Sequence, residues 1–191
     1  MKQTLGFGLI VLFLAAVLAM DCAAQKAPAD SQFMAIQSVS VLPIVDARAD
    51  KKTNVNAEKL QDKVVKHLDK MHYPAGAAST SGEAGEIIVE DVEKPTPSYV
   101  KKLGPVNERW VMVIFLDDVY YSRTARSSLA GTGGSNVAEL KGFLFDKDTG
   151  ALVWKHKGIG EVKGLGPAGS EKALDEAIKA MLRSLPDRPK N

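Results

Sequence analysis

Residues able to do chemistry are scarce in this chain. Three histidines (His67, His72 and His156) and one cysteine (Cys22) are its whole supply of imidazole and thiol. His67 and His72 stand five apart, off the i, i+4 spacing that puts two ligands on one helical face, so both read as solvated helix residues. No cysteine pair or carboxylate cluster makes a zinc set. Asp146-x-Asp148-x-Gly150 opens like a calcium loop, but loop position twelve is Lys157 where glutamate is needed, and a hairpin turn is the better reading. Gly158-Ile159-Gly160 and Gly164-Leu165-Gly166 stand between a strand and a helix, as a dinucleotide loop would. The third glycine of that spacing would fall at Lys163, which leaves a flexible loop. Gly131 to Ser135 lacks the lysine of a phosphate loop, and no Gly-x-Ser-x-Gly element exists, so a serine hydrolase is unsupported. No catalytic, cofactor-binding or metal-ligating residue is assigned, and no cofactor is expected.

Two surface candidates remain. Asp117 and Asp118 follow the most apolar strand, and strand ends are where α/β sheets take ligands. They mark a candidate ligand cleft, against the plainer reading of a solvated strand end. Tyr120, Tyr121, Arg123 and Arg126 mix aromatic and arginine side chains, types enriched at protein interfaces, and mark a candidate partner surface. An ordinary mobile loop from Arg123 to Asn136 competes with it.

Compartment narrows the choice. Lys2 precedes an uncharged run from Leu5 to Met20, then Asp21-Cys22-Ala23-Ala24, and the chain turns polar at Gln25. This is the layout of a secretory signal over residues 1–24, too short to span a membrane as a helix. Export removes most nucleotide, NAD and nucleic-acid chemistry. Cys22 has two readings: the lipid-bearing first residue of a lipoprotein, or one of the small residues of an ordinary cleavage site before Gln25. Asp21 departs from the small residue that precedes a lipidated cysteine. A single cysteine forms no internal disulfide, so the core alone must hold the fold. Removing 24 residues from 191 leaves about 167, enough for one domain, here placed at 36–186 between a tether (25–35) and a tail (187–191). A 45% hydrophobic content supports a core, and a net charge of +2 gives no argument for a polyanion partner.

The elements that must position these residues follow from periodicity. Ser38 to Val45 reads as a first strand, with Leu42 and Ile44 on one face and a gap at Pro43, which has no N–H to donate and so belongs at a sheet edge or near the strand end. Asn56 caps a helix to about His72, whose face is Ala57, Leu60, Val64, Leu68 and Met71. Ala75 to Gly85 reads as loop. Ile87 to Val89 is either a short strand or a helix start. Thr96 caps a short helix entered at Pro97. Trp110 to Leu116 is a doubly buried central strand running on toward Tyr121. Val137 to Phe145 and Ala151 to Val162 form a hairpin turning at Asp146 to Gly150. Ser170 caps a final helix whose core face runs from Ala173 to Leu185, stopped by Pro186. The class is α/β: a mixed sheet of about four or five strands, two longer helices and one short one, then a closing hairpin and C-terminal helix.

The opening Val41-Leu42-Pro43-Ile44 with Asp46, the Pro97 to Gly104 helix, the Asp146 to Gly150 hairpin with Leu152-Val153-Trp154, and the amphipathic closing helix together resemble a group of exported bacterial domains. It is the group of the TolB amino-terminal region, the curli-secretion lipoproteins and the lipoprotein activators of penicillin-binding proteins, with uncharacterised envelope lipoproteins most alike. The resemblance implies a non-enzymatic accessory or assembly role in the envelope, an envelope protein partner and a lipid anchor at Cys22; it carries no catalytic residue. A periplasmic small-ligand binder and a hydrolase with an unrecognised site are the alternative expectations.

Overall fold

A computed structural model of the chain describes residues 31–123, 134–163, 167–186 and 188. Cys22 and Arg126 therefore lie outside the described residues. The chain divides into two units, Met1–Ala35 and Ile36–Asn191. The described part of the first holds only α1 (Ser31–Met34). The second contains everything that follows.

Its elements are β1 (Val39–Val41), β2 (Val45–Asp46), α2 (Ala57–Lys70), β3 (Ala75–Ala77), α3 (Val89–Glu93), α4 (Pro97–Lys102), β4 (Trp110–Arg123), β5 (Gly134–Asp146), β6 (Ala151–Lys163) and α5 (Pro167–Leu182). The strands make one six-stranded mixed sheet in the order β3-β1-β4-β5-β6, with β2 also on β4. β3, β1 and β4 run parallel, while β4, β5 and β6 are antiparallel. The α/β expectation holds, with one more strand than its upper figure. Ile87 to Val89 gives no strand, the first expected strand divides into β1 and β2, and β3 forms inside a stretch expected as loop. Ala75-Gly76-Ala77 has no β-propensity to reveal it. It forms because α2 returns the chain beside β1, the short βαβ connection.

Pro43 does interrupt the first strand, but in the sheet interior. Val41 faces Met112 and Val45 faces Phe115, so Leu42 to Ile44 spans three residues against two on β4. That extra residue swaps the faces. Leu42 and Val45, and not Leu42 and Ile44 as alternation implied, join one cluster. A bulge is how an interior strand accommodates a residue with no N–H.

The back of the sheet is covered by α2 and α5, lying side by side. Asn56 caps α2 as expected, its Oδ1 accepting from the Lys59 N–H at 2.8 Å. Buried Gln61 clamps α2 to the sheet, its amide donating to the carbonyls of Val41 (2.8 Å) and Ala78 (2.9 Å). Ser170 does not cap α5. The helix begins at Pro167, and the Ser170 hydroxyl donates to Asn136 Oδ1 at 3.1 Å. α5 sits directly on β6. A Cβ built on Gly158 would lie 2.1 Å from the Ala177 carbonyl oxygen, and one on Gly160 2.0 Å from that of Ala173. These glycines are thus a helix seat inside a strand, not part of a flexible loop; Gly164 to Gly166 lie outside the described residues.

The front carries α3 and α4. Ile87, Val92, Val100 and Leu103 pack there on Leu42, Val111, Val113, Phe115, Phe143 and Phe145. β4 is therefore buried on both faces over its first half, as its unbroken apolar run demanded. Ile87 to Val89 resolves to a helix start at Val89. Thr96 Oγ1 accepts from the Tyr99 N–H at 3.3 Å, with Pro97 in the first helical position.

Candidate functional site

The front face changes character beyond Phe115. β4 holds a bulge between Leu116 and Asp118, where Leu116 faces Leu140 and Asp118 faces Glu139. The extra residue, Asp117, lets two consecutive carboxylates lie on the front, which strict alternation forbids. The strand then continues to Arg123. Asp117 and Asp118 are thus mid-strand, and the expected strand end at this point is corrected. Each carboxylate has a partner within the chain. Asp117 Oδ2 pairs with Lys141 Nζ at 3.1 Å, and Asp118 Oδ1 accepts from the Val119 N–H at 2.8 Å.

Lys141 belongs to a lattice of opposite charges across the sheet. It also meets Glu93 Oε1 of α3 at 3.7 Å, and Lys157 on β6 pairs with Glu139 on β5. That carboxylate holds the Lys157 ammonium above its ordinary range. Between this lattice and α3 lies an open groove of about 370 Å³, lined by Glu93, Lys141, Phe143, Lys155, His156 and Lys157. Its lining could hold an anionic group over an apolar floor, but two of its three lysines already have carboxylate partners.

Past the lattice comes an apolar row. Tyr120 faces Val137 across β4–β5, and Ile159 stands diagonal to Val137 on β6, opposite Glu139. Tyr120 is 42% and Ile159 53% exposed, while Val137 between them is buried. Register thus divides the residues taken together as a partner surface. Tyr120 points forward. Tyr121, one residue on, points back with its ring tip where a side chain on Gly134 would be. Arg123 ends β4 opposite Gly134. These residues and Gly134 to Asn136 are strand, not loop. Ile159 was missed because alternation alone does not show which strands lie side by side.

The sequence also passed over three basic residues with structural partners, Arg48, Arg109 and Lys147. Arg48 is 5% exposed and grips Asp46 with two bonds of 2.8 Å, its third donor reaching the Thr53 carbonyl at 2.7 Å. The Arg48 bond holds the Asp46 carboxyl below its usual range despite burial. Asp146 accepts two bonds from Arg109, at 2.9 and 2.8 Å. Burial pushes that carboxyl up, and Arg109 with the hairpin backbone more than offsets it, leaving it lowered. Asp146 Oδ1 also accepts from the Asp148 N–H, and Gly150 closes the turn at φ 70°. The carboxylate is thus spent on a hairpin turn, as its spacing suggested. Lys147 Nζ donates to the Pro105 carbonyl at 2.7 Å, with burial lowering its pKa.

The fold corrects the solvated placement that spacing alone gives His67. Its Nε2 lies 3.0 Å from Asp175 Oδ1 on α5, and the ring is 15% exposed. Asp175 also meets Lys179 Nζ at 2.8 Å. His67 and Lys179 together hold the Asp175 carboxyl down to about 2. This stitches α2 to α5. His72 lies beyond α2 with φ 63°, exposed. Among the described residues no group of three or more His, Cys, Asp and Glu side chains could hold a metal ion, and no helix is long and apolar enough to cross a membrane.

No protein-family model and no curated protein matches the chain. Solved structures do. The lipoprotein GNA1162 from Neisseria meningitidis is 14% identical, with 69% of this chain and 88% of that chain covered at a TM-score of 0.47. The minor lipoprotein from Acinetobacter baumannii is 8% identical over 75% and 87%, at 0.39. The LpoB C-terminal domain from Salmonella enterica is 12% identical over 69% and 92%, at 0.36. The chain is distantly similar to bacterial lipoproteins.

Proposed function

We propose that this protein is an exported, non-enzymatic accessory or assembly protein of the bacterial envelope, and that it works by holding another protein. The supporting observation is the Tyr120–Val137–Ile159 row: two exposed apolar side chains on one sheet face, bordered by the charged pairs Asp117–Lys141 and Glu139–Lys157. An apolar centre with a polar rim is the anatomy of a protein contact. Tyr120 is its anchor, a large, rigid side chain that loses little entropy when held. Replacing Tyr120 by alanine is expected to abolish cross-linking to envelope partners while leaving the circular dichroism spectrum unchanged. Full capture by the variant would remove this surface from the proposal. The placement outside the cytoplasm rests on residues 1–24. The intact mass of the processed N-terminal peptide tests it and decides between a lipid on Cys22 and a start at Gln25.

A small-ligand binder is the second reading, and the 370 Å³ groove is the observation that favours it. An anionic small molecule with an apolar part would have to displace Glu93 from Lys141 and recruit Lys155. A rise in melting temperature with such a compound, lost in Lys155→Ala, would move this reading ahead.

A further inference from the structure

We infer that β6 is a homotypic docking edge, where two copies of this chain extend their sheets by antiparallel β6–β6 pairing across a two-fold axis centred on Gly158. This goes beyond the partner surface centred on Tyr120, which lies on the sheet face and reaches the edge strand only at Lys157 and Ile159. β6 is a 13-residue strand at the end of the sheet order, and among the described residues no strand lies beyond it. Its outward backbone groups are a template for another strand. Natural edges of this length are blunted with charge, and β6 carries Lys155, Lys157 and Lys163. The question is which pairing those lysines forbid.

A two-fold axis perpendicular to the sheet keeps each side chain on its own face, so the axis must pass through a residue. The register with β5 puts Lys155, Lys157, Ile159, Glu161 and Lys163 on the front. An axis at Lys157 sets Lys157 against itself, and one at Glu161 does the same to Glu161. An axis at His156 sets Lys155 against Lys157. At Ile159, Lys155 meets Lys163; at Gly160, Lys157 meets Lys163. Among the axes from Lys155 to Glu161, the central stretch that pairs the most residues, only the one at Gly158 avoids like charges. There Lys155 faces Glu161 of the second copy, twice over, and the aliphatic stem of Lys157 lies beside the exposed Ile159. The lysines thus work as a register filter, not a blanket deterrent. Lys155 and Glu161 are both exposed, so both are free to change partners.

The test is charge reversal and swap in the processed chain taken from the envelope. Sedimentation equilibrium should show a dimer. Lys155→Glu and Glu161→Lys should each raise its dissociation constant by about tenfold or more, since each turns two attractive cross-strand pairs into repulsive ones. The double variant carrying both should return to within about threefold of the parent. Hydrogen exchange should show β6 outward amides protected with rising protein concentration. A chain that stays monomeric at millimolar concentration, a dimer indifferent to both single reversals, or a double variant as weak as either single one would each overturn the proposal.

Discussion

Replacing Gly160 by alanine adds one methyl group, and the structure says where it must go. The new Cβ would stand 2.0 Å from the Ala173 carbonyl oxygen and 2.4 Å from the Ala177 amide nitrogen. Both are backbone atoms of α5, so no rotamer change relieves the clash. The helix has to retreat by roughly 1 Å from β6, along the stretch that buries Ala173, Leu174, Ala177, Ile178, Met181 and Leu182. Overpacking costs about 1–3 kcal/mol when side chains can give way, and an immovable helix backbone belongs at the top of that range. Alanine at an unstrained glycine also gains about 0.4–1 kcal/mol through the unfolded chain. Gly76→Ala isolates that gain, because a Cβ there meets nothing within 4 Å. Gly160→Ala should therefore lower stability by about 2–3 kcal/mol, while Gly76→Ala leaves it level or raises it slightly. Urea unfolding read by tryptophan fluorescence measures both, with the slope unchanged so that the midpoint reports stability. Gly160→Ala within about 0.5 kcal/mol of the parent would refute the helix seat and return these glycines to a loop.

Tyr99→Phe should be neutral or raise stability by about 1 kcal/mol in a thermal melt, because the buried Tyr99 hydroxyl has no hydrogen-bond partner among the described residues. Gln61→Ala should lower stability by about 2–3 kcal/mol by chemical denaturation, since it strips the carbonyls of Val41 and Ala78 of a donor. The Asp175 carboxyl lies below its ordinary 3.8, at about 2, so its stabilising contribution is complete above pH 4 and lost as pH falls toward 2. Asp175→Asn should accordingly cost about 1 kcal/mol at pH 6, allowing for solvent screening of a side chain about a third exposed, and only about a third of that at pH 2.5. A gap between parent and variant that is flat across that range in pH-dependent melts would sink the assignment.

Elements with a strong period or distinctive cap were legible in the chain. The apolar faces of α2 and α5, the Asn56 and Thr96 caps, the central β4 run and the Asp146 to Gly150 turn all follow from side-chain periodicity and local backbone chemistry, which act within a few residues. β3 was not legible, because alanine and glycine carry no pattern and the strand exists only where β1 offers an open edge. Neither bulge was legible. The face of Leu42 and Val45, and of Asp117 and Asp118, depends on one unpaired residue, and a one-residue slip reverses every side chain beyond it. His67 looked solvated because its partner, Asp175, is 108 residues away on another helix.

By itself, then, the sequence determined the α/β class, the order of its main elements and the scarcity of catalytic groups. Only the tertiary structure decided which faces those elements share. It placed Tyr120 and Ile159 on one surface, turned Tyr121 away from it, tied Asp117 to Lys141 and left β6 at the edge. The physical reason is range. Periodicity is set by the helix and strand repeat, whereas strand order and register are set by which distant segments bury each other best.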